Sequence, residues 1–288
     1  MCIHIYACVY TYIIYSNFSS YHRNIKQNTY AKIMHLYKVV ILILTTFQKR
    51  IIIDLKVETI IITTLQYKNT ILKIKEDFIM KIAVVCANGK TGSLVVKEAL
   101  DRGFEVTAVV RGENKTAAEK VIVKDLFDLT AEDLAGFDAV VDAFGAWTPE
   151  TLPLHSSSLK HLCDILSGTD TRLLVVGGAG SLYVNPEHTL QVMDTPDFPD
   201  AFKPLAAAQG KALSELRERD DVKWTFISPA GDYQADGERT GKYILAGEEL
   251  TLNSKGESII SYADYAVAMV DEIEKGNHIK QRISVVRE

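Results

Sequence analysis

No glycine and no proline occurs in the first 79 residues of this 288-residue chain; all 17 glycines and all 7 prolines come later. Tight turns draw on those two residues, so a compact unit of that length without either is not expected. The same stretch holds only two alanines, against 17 isoleucines and 8 of the 13 tyrosines, and carries ten Lys/Arg against four Asp/Glu. Ile, Lys, Asn, Tyr, Phe and Thr are mostly residues of A/T-rich codons, whereas Gly, Pro and Ala have G/C-rich ones. Met80 stands directly before the first strand pattern. Residues 1–79 are therefore expected to lie outside the working fold, as upstream sequence read from too early a start, with 80–288 as the folded domain. A natural amino terminus upstream of Met80, found by mass spectrometry, would refute this.

Other absences narrow the field. Four cysteines, at 2, 8, 86 and 163, form no C-x-x-C pair and no metal spacing, which points to reduced thiols in a cytoplasmic protein. The apolar run at 39–47 is about half the ~20 residues a membrane span needs and has no signal-peptide cleavage site, so a short buried strand or helix is expected there instead. Residues 80–288 carry 22 Lys/Arg against 33 Asp/Glu, an acidic balance that argues against nucleic acid as a partner. A small-molecule substrate, no membrane and a possible homodimer are the expectations on partners.

What is present begins with Lys81-Ile-Ala-Val-Val-Cys-Ala-Asn-Gly-Lys-Thr-Gly92. An apolar run reads as a buried parallel strand, a glycine-bearing turn follows, and an amphipathic stretch from Ser93 reads as a helix. This order suits the pyrophosphate of a dinucleotide: main-chain N–H groups at a helix start point at the phosphates and the helix dipole favours their charge. Gly89 would admit close approach, and Gly92 would let helix and strand pack. The first position of the G-x-x-G-x-x-G pattern is Cys86, whose side chain would narrow the turn. A second strand ends at Arg111, about 20 residues beyond the turn, where the ribose-reading residue belongs. Arginine there suits the 2′-phosphate of NADP through bidentate bonds; Glu113 close by, or a simply solvated arginine, are the competing readings.

From Lys81 onward strand and helix alternate. Strands are expected at 82–85, 105–110, 121–123, 138–143, 172–176 and 222–227, and helices at 91–102, 114–120, from Pro149 to about 166, and at 202–219. This implies an α/β fold with a doubly wound parallel sheet. After Pro229 the pattern loosens, with small sheet elements at 243–245 and 250–252, a helix at 262–275 capped by Ser261, and a last strand at 282–286. That tail is expected to cap the substrate side.

The segments KIAVVCANGKTGS, VVR at 109–111, DLFDL at 125–129, VVDAFGAW at 140–147, RLLVVGGAGSLYV at 172–184, TFISPA at 225–230 and ISYADYAVAMVDEIE at 260–274 carry a resemblance. Residues 80–288 resemble the atypical short-chain dehydrogenase/reductases with an NAD(P)-binding Rossmann domain, nearest the NADH-flavin reductase and NmrA-like types. The resemblance implies that Ala87, Asn88, Gly89, Lys90, Thr91 and Gly92 line the pyrophosphate, and that Arg111 meets the adenosine ribose. Asp125 and Leu126 would flank adenine, Ala143, Phe144 and Gly145 would pass beneath the ribose and nicotinamide, and Gly177 and Gly178 would border the nicotinamide pocket. NADP(H) is the expected coenzyme, with NAD(H) possible, and flavin would be a substrate, not a tightly bound group.

Ordinary members of that superfamily reduce carbonyls with a Tyr-x-x-x-Lys pair, and no such pair occurs in this chain. Lys211 has Ala207 four residues before it and is read as a surface or ribose contact. Flavin reduction escapes the requirement: charge delocalises over the isoalloxazine, solvent supplies the later proton, and the protein mainly stacks and orients. The expected reaction is therefore hydride transfer to a flavin or a similar conjugated acceptor such as a quinone. The alternative is a non-catalytic redox sensor of NmrA-like type. Trp147, Tyr183, Phe198, Phe202 and Tyr233 are pocket candidates or hydrophobic plugs, and Ser181 is a weak catalytic candidate or a turn hydroxyl. His155 and His161 read as solvent or pocket-rim residues, Asp232 and Asp236 as turn formers, Glu215–Arg219 as a surface pair, and Asp271, Glu272 and Glu274 as solvated charges.

Overall fold

A computed structural model of the chain describes residues 79–288, together with 35, 38–40, 42 and 43. The last six belong to a separate unit spanning Met1–Lys73; they are helical, and Leu42 and Ile43 are exposed. The rest of the apolar run at 39–47, like most of the extension, lies outside the described residues. Among the described residues no helix is long and apolar enough to cross a membrane.

The second unit contains ten strands and four helices among its described residues. These are β1 (Lys81–Val85), α1 (Lys90–Asp101), β2 (Glu105–Val110), β3 (Lys120–Val123), β4 (Ala139–Asp142), α2 (Leu154–Leu166) and β5 (Arg172–Val176). They continue as α3 (Lys203–Arg217), β6 (Lys223–Ser228), β7 (Asp232–Gln234), β8 (Tyr243–Ala246), β9 (Ile259–Ser261), α4 (Tyr262–Lys275) and β10 (Gln281–Arg287). Eight strands form one sheet in the order β3-β2-β1-β4-β5-β6-β10-β8, parallel throughout except for antiparallel β8. β7 and β9 pair in a small parallel sheet.

Continuous apolar strands arise because both sheet faces are covered. In β1, Ile82 and Val84 enter the core beneath α1 and α4, while Ala83 and Val85 enter the core beneath α2 and α3. α1 packs on α4, and α2 on α3. The strand order reverses between β1 and β4, so the crevice at their carboxyl ends is the place where an open α/β sheet binds ligands.

Several expectations need correction. Residues 114–120 form no helix: the Asn114 side chain accepts from the N–H of Thr116 and donates to the carbonyl of Ala118, and these local bonds replace a helical turn. The helix expected from Pro149 starts at Leu154, because Thr148 and Thr151 close a turn first and Pro153 caps the helix. Residues 250–252 are not a strand, and Tyr243–Ala246 joins the main sheet through β10. Asp232, read as a turn former, opens β7.

The charge readings also shift. Glu272 is buried, and its Oε1 accepts from buried Arg172 at 2.6 Å. Asp271 and Glu274 hold Arg102, at 2.6 and 3.1 Å, and so clamp α1 to α4. Arg219 pairs with Asp221 and Asp164, while Glu215 pairs with Lys211. The Arg172–Glu272, Arg102–Asp271, Arg102–Glu274 and Arg219–Asp164 pairs are consequences of long-range packing that sequence spacing does not carry.

Candidate functional site

The turn between β1 and α1 sits at the crevice. Gly89 caps α1 without a side-chain bond, and no acidic residue stands in the first turn. The first N–H groups of a helix have no intrahelical acceptor, so this end presents unshielded donors to an anion. A methyl group on Gly92 would lie 2.7 Å from the Cys86 carbonyl oxygen and 3.1 Å from Ala87 Cα, so only glycine lets α1 seat this close to the turn. Cys86 has φ of 59°, a left-handed conformation that disfavours a side chain by roughly 1–2 kcal/mol. Burial, with Asp142 adding to it, pushes the Cys86 thiol up to about 12, so it stays neutral beside the turn. These features fit a diphosphate: a glycine-admitted close approach, a donor-rich helix end and no carboxylate in the first turn of α1.

Asn88 knits the turn to the segment after β2, donating to the Glu113 carbonyl and accepting from the Lys115 N–H, both at 2.8 Å. Arg111 at the end of β2 is exposed on that same segment. Lys90 is exposed, and Ala87 is buried, with its N–H on the Val109 carbonyl. Asp125 accepts from Phe127 N–H and so caps a short 3-10 turn. Leu126 is buried in the core with Val109 and Leu129.

Across the reversal point, Ala143 donates its N–H to Val85 and Phe144 donates to Asp142 Oδ1 at 3.0 Å. Gly145 is exposed, and the Trp147 ring leans toward it, its Nε1 3.7 Å from where a Cβ would stand. Trp147 is 70% exposed and Phe202 54%. Phe198 is half-buried. Gly177 lies under the Phe226 ring, too close for a side chain, and Gly178 lies against the flexible end of Gln209.

Three candidates have other tasks. Tyr233 is not a free pocket wall: its hydroxyl bonds Thr91 Oγ1 at 3.1 Å, and its ring lies against Tyr262 and Tyr265. The β7–β9 sheet, absent from the sequence reading, places it there. Tyr183 stacks on His188 at 4.5 Å. Ser181 is buried, and its carbonyl and hydroxyl oxygens accept from Arg282 at 3.0 and 3.3 Å, which makes it an anchor for its loop in place of the substrate contact expected.

Two residues were missed. Asp142, fully buried at the end of β4, has its carboxyl pushed up to about 6 by burial. His155, expected at the surface or a pocket rim, is buried, and its Nε2 lies 3.1 Å from the Ala146 carbonyl. Burial lowers its pKa and keeps the ring neutral. The signal for Asp142 was a carboxylate inside an apolar run. With Gln209 the two border a cavity of about 20 Å³, room for one water.

Comparison with known proteins agrees with this geometry. The NAD(P)H-binding family matches residues 86–275. The Bacillus subtilis protein YwnB is 48% identical over 212 residues, which is 73% of this chain and 99% of YwnB. A Streptococcus pneumoniae protein described as a "putative NADH-flavin reductase" is 60% identical, with a TM-score of 0.71 over 73% of this chain and all of that one. A Bacteroides thetaiotaomicron protein described as a "putative epimerase" is 37% identical, with a TM-score of 0.64 over 73% of this chain and 97% of the other. A glycine-seated helix end at the reversal point of a doubly wound sheet, matched through residue 275, places this chain in the NAD(P)H-binding family.

Proposed function

We propose that the chain is an NAD(P)H-dependent reductase that transfers hydride to a free flavin or a similar conjugated acceptor such as a quinone, with NADP(H) preferred. The observation that carries this reading is the contact between α3 and the loop after β5. A Cβ on Gly180 would stand 2.4 Å from Ala206 Cβ, and one on Gly210 would stand 3.4 Å from Ser181 Cβ. Toward this loop the helix face offers Ala206 and Gly210, four residues apart. Neither has a proton to give, and Lys211 is exposed and paired with Glu215. An acceptor that spreads negative charge over a conjugated ring needs no such donor.

A bound NAD(P)H supplies the hydride. The uncapped amides of α1 would hold its diphosphate, with Gly89 and Gly92 setting the approach. Arg111 would grip the 2′-phosphate, and Asn88 steadies the segment that carries it. Segment 143–145 would floor the nicotinamide, with Gly177 and Gly178 at its border. Exposed Trp147 would offer the acceptor a stacking face. The likeness to the pneumococcal protein, whose description names flavin reduction, supports this choice of acceptor.

Absorbance at the reduced-nicotinamide band tests it. With FMN, FAD and a quinone panel, the expected result is NADPH oxidation with at least one acceptor and a KM for NADPH at least about tenfold below that for NADH, a difference of about 1.4 kcal/mol. Arg111→Ala is expected to erase that preference. Equal KM values would remove NADP(H) preference, and no turnover with any acceptor would remove the reductase and favour a redox sensor.

A further inference from the structure

We propose that Asp142 and His155 are positioning residues for the nicotinamide half of the coenzyme, holding the backbone on both sides of Gly145 from beneath. The inference rests on the reading that segment 143–145 lies under the nicotinamide. After Ala143 bonds Val85, that segment leaves the sheet, and the backbone on either side of Gly145 is met by side chains. On one side Asp142 Oδ1 accepts from the Phe144 N–H at 3.0 Å; on the other His155 Nε2 lies 3.1 Å from the Ala146 carbonyl. A carbonyl can only accept, so Nε2 is the protonated nitrogen and donates. The Phe144 ring meets the His155 ring edge-on at 5.5 Å and 77°, which ties the two anchors together.

Both anchoring side chains are buried, at 4% and 8% exposure, while Gly145 between the anchored residues faces solvent. Burying a carboxyl and an imidazole is costly unless they hydrogen-bond, and here their bonds go to this one short segment. The height of Gly145 in the crevice is thus set from below. The adenosine half would lie near Arg111 and the α1 turn, where Asp142 acts on Cys86 only through its charge.

Calorimetric titration with NADPH and with adenosine 2′,5′-bisphosphate, which carries the adenosine half alone, separates the two regions. His155→Phe keeps a ring against Phe144 and removes the donor, and Asp142→Leu removes the acceptor. Each is expected to weaken NADPH about tenfold, the size of one hydrogen bond, and the bisphosphate by less than about twofold. His155→Gln and Asp142→Asn retain a donor and an acceptor and are expected to recover most of the NADPH affinity. Equal weakening of both ligands, or none of NADPH, overturns the inference. If Asp142→Leu does not fold, His155→Phe decides by the same two titrations. Wild-type protein that binds neither ligand overturns the coenzyme reading and this inference with it; wild type that binds both confines any failure to the two anchors.

Discussion

Gly92→Val is expected to weaken NADPH binding by at least about a hundredfold, or about 2.7 kcal/mol, while the protein stays folded at lower stability. The cause is backbone against backbone. A Cβ at this position meets Cys86 O at 2.7 Å, Ala87 Cα at 3.1 Å and Ala87 O at 3.2 Å, and none of these atoms belongs to a flexible side chain. α1 must therefore move away from the turn and take its terminal N–H groups with it. Overpacking of this kind costs about 1–3 kcal/mol. Gly89→Ala is the control: one contact at 3.2 Å, with φ of −69°, so its stability loss should be far smaller. Calorimetry with NADPH and a thermal melt check both parts. Unchanged binding by Gly92→Val would show that the turn does not hold the diphosphate.

Glu272→Ala is expected to lower the free energy of unfolding by about 3–5 kcal/mol, the cost of leaving a buried charge without its partner. Arg172 is buried; it donates to Glu272 Oε1 and to the Glu272 carbonyl, each at 2.6 Å, and to Thr225 at 2.9 Å. The carboxylate also accepts from His278 N at 3.0 Å and lies 2.6 Å from His278 Nδ1. Alanine removes the carboxylate and strands the guanidinium between β5 and α4. By contrast, Asp101→Ala breaks the exposed Lys97–Asp101 pair on α1 and should cost about 0.5 kcal/mol or less. Urea denaturation of the two variants makes the comparison. A loss below about 1 kcal/mol for Glu272→Ala would mean that the ion pair does not anchor α4.

The central parallel strands and α1 were legible because their signals are local. Apolar runs bounded by turn residues set β1, β2 and β5 nearly to the residue, and Ser261 accepting from Asp264 N–H starts α4 where the sequence suggested. Arg111 and the turn residues could be placed at the ends of β2 and β1 because their positions follow from distance along the chain. The β7–β9 sheet was not, because two three-residue strands 25 positions apart leave no periodicity. Glu272 and Asp271 read as surface charges because their spacing at a helix end is that of solvated residues, and only their partners on α1 and β5 reveal otherwise. Ser181 and Tyr233 were expected on the substrate side, but Arg282 and Thr91, which claim them, lie 101 and 142 positions away.

β10 lies between β6 and β8 in the sheet, yet it is translated after both. While residues 281–287 are still inside the ribosome, β6 and β8 each present a bare hydrogen-bonding edge with no neighbour. Closure of the sheet therefore waits for residues 281–287, and it also brings in Arg282, whose bonds fasten the Ser181 loop. The crevice and the sheet's last-made strand thus mature together. A nascent chain has the phosphate turn early, but gains the bonds that fasten the Ser181 loop only once β10 is added.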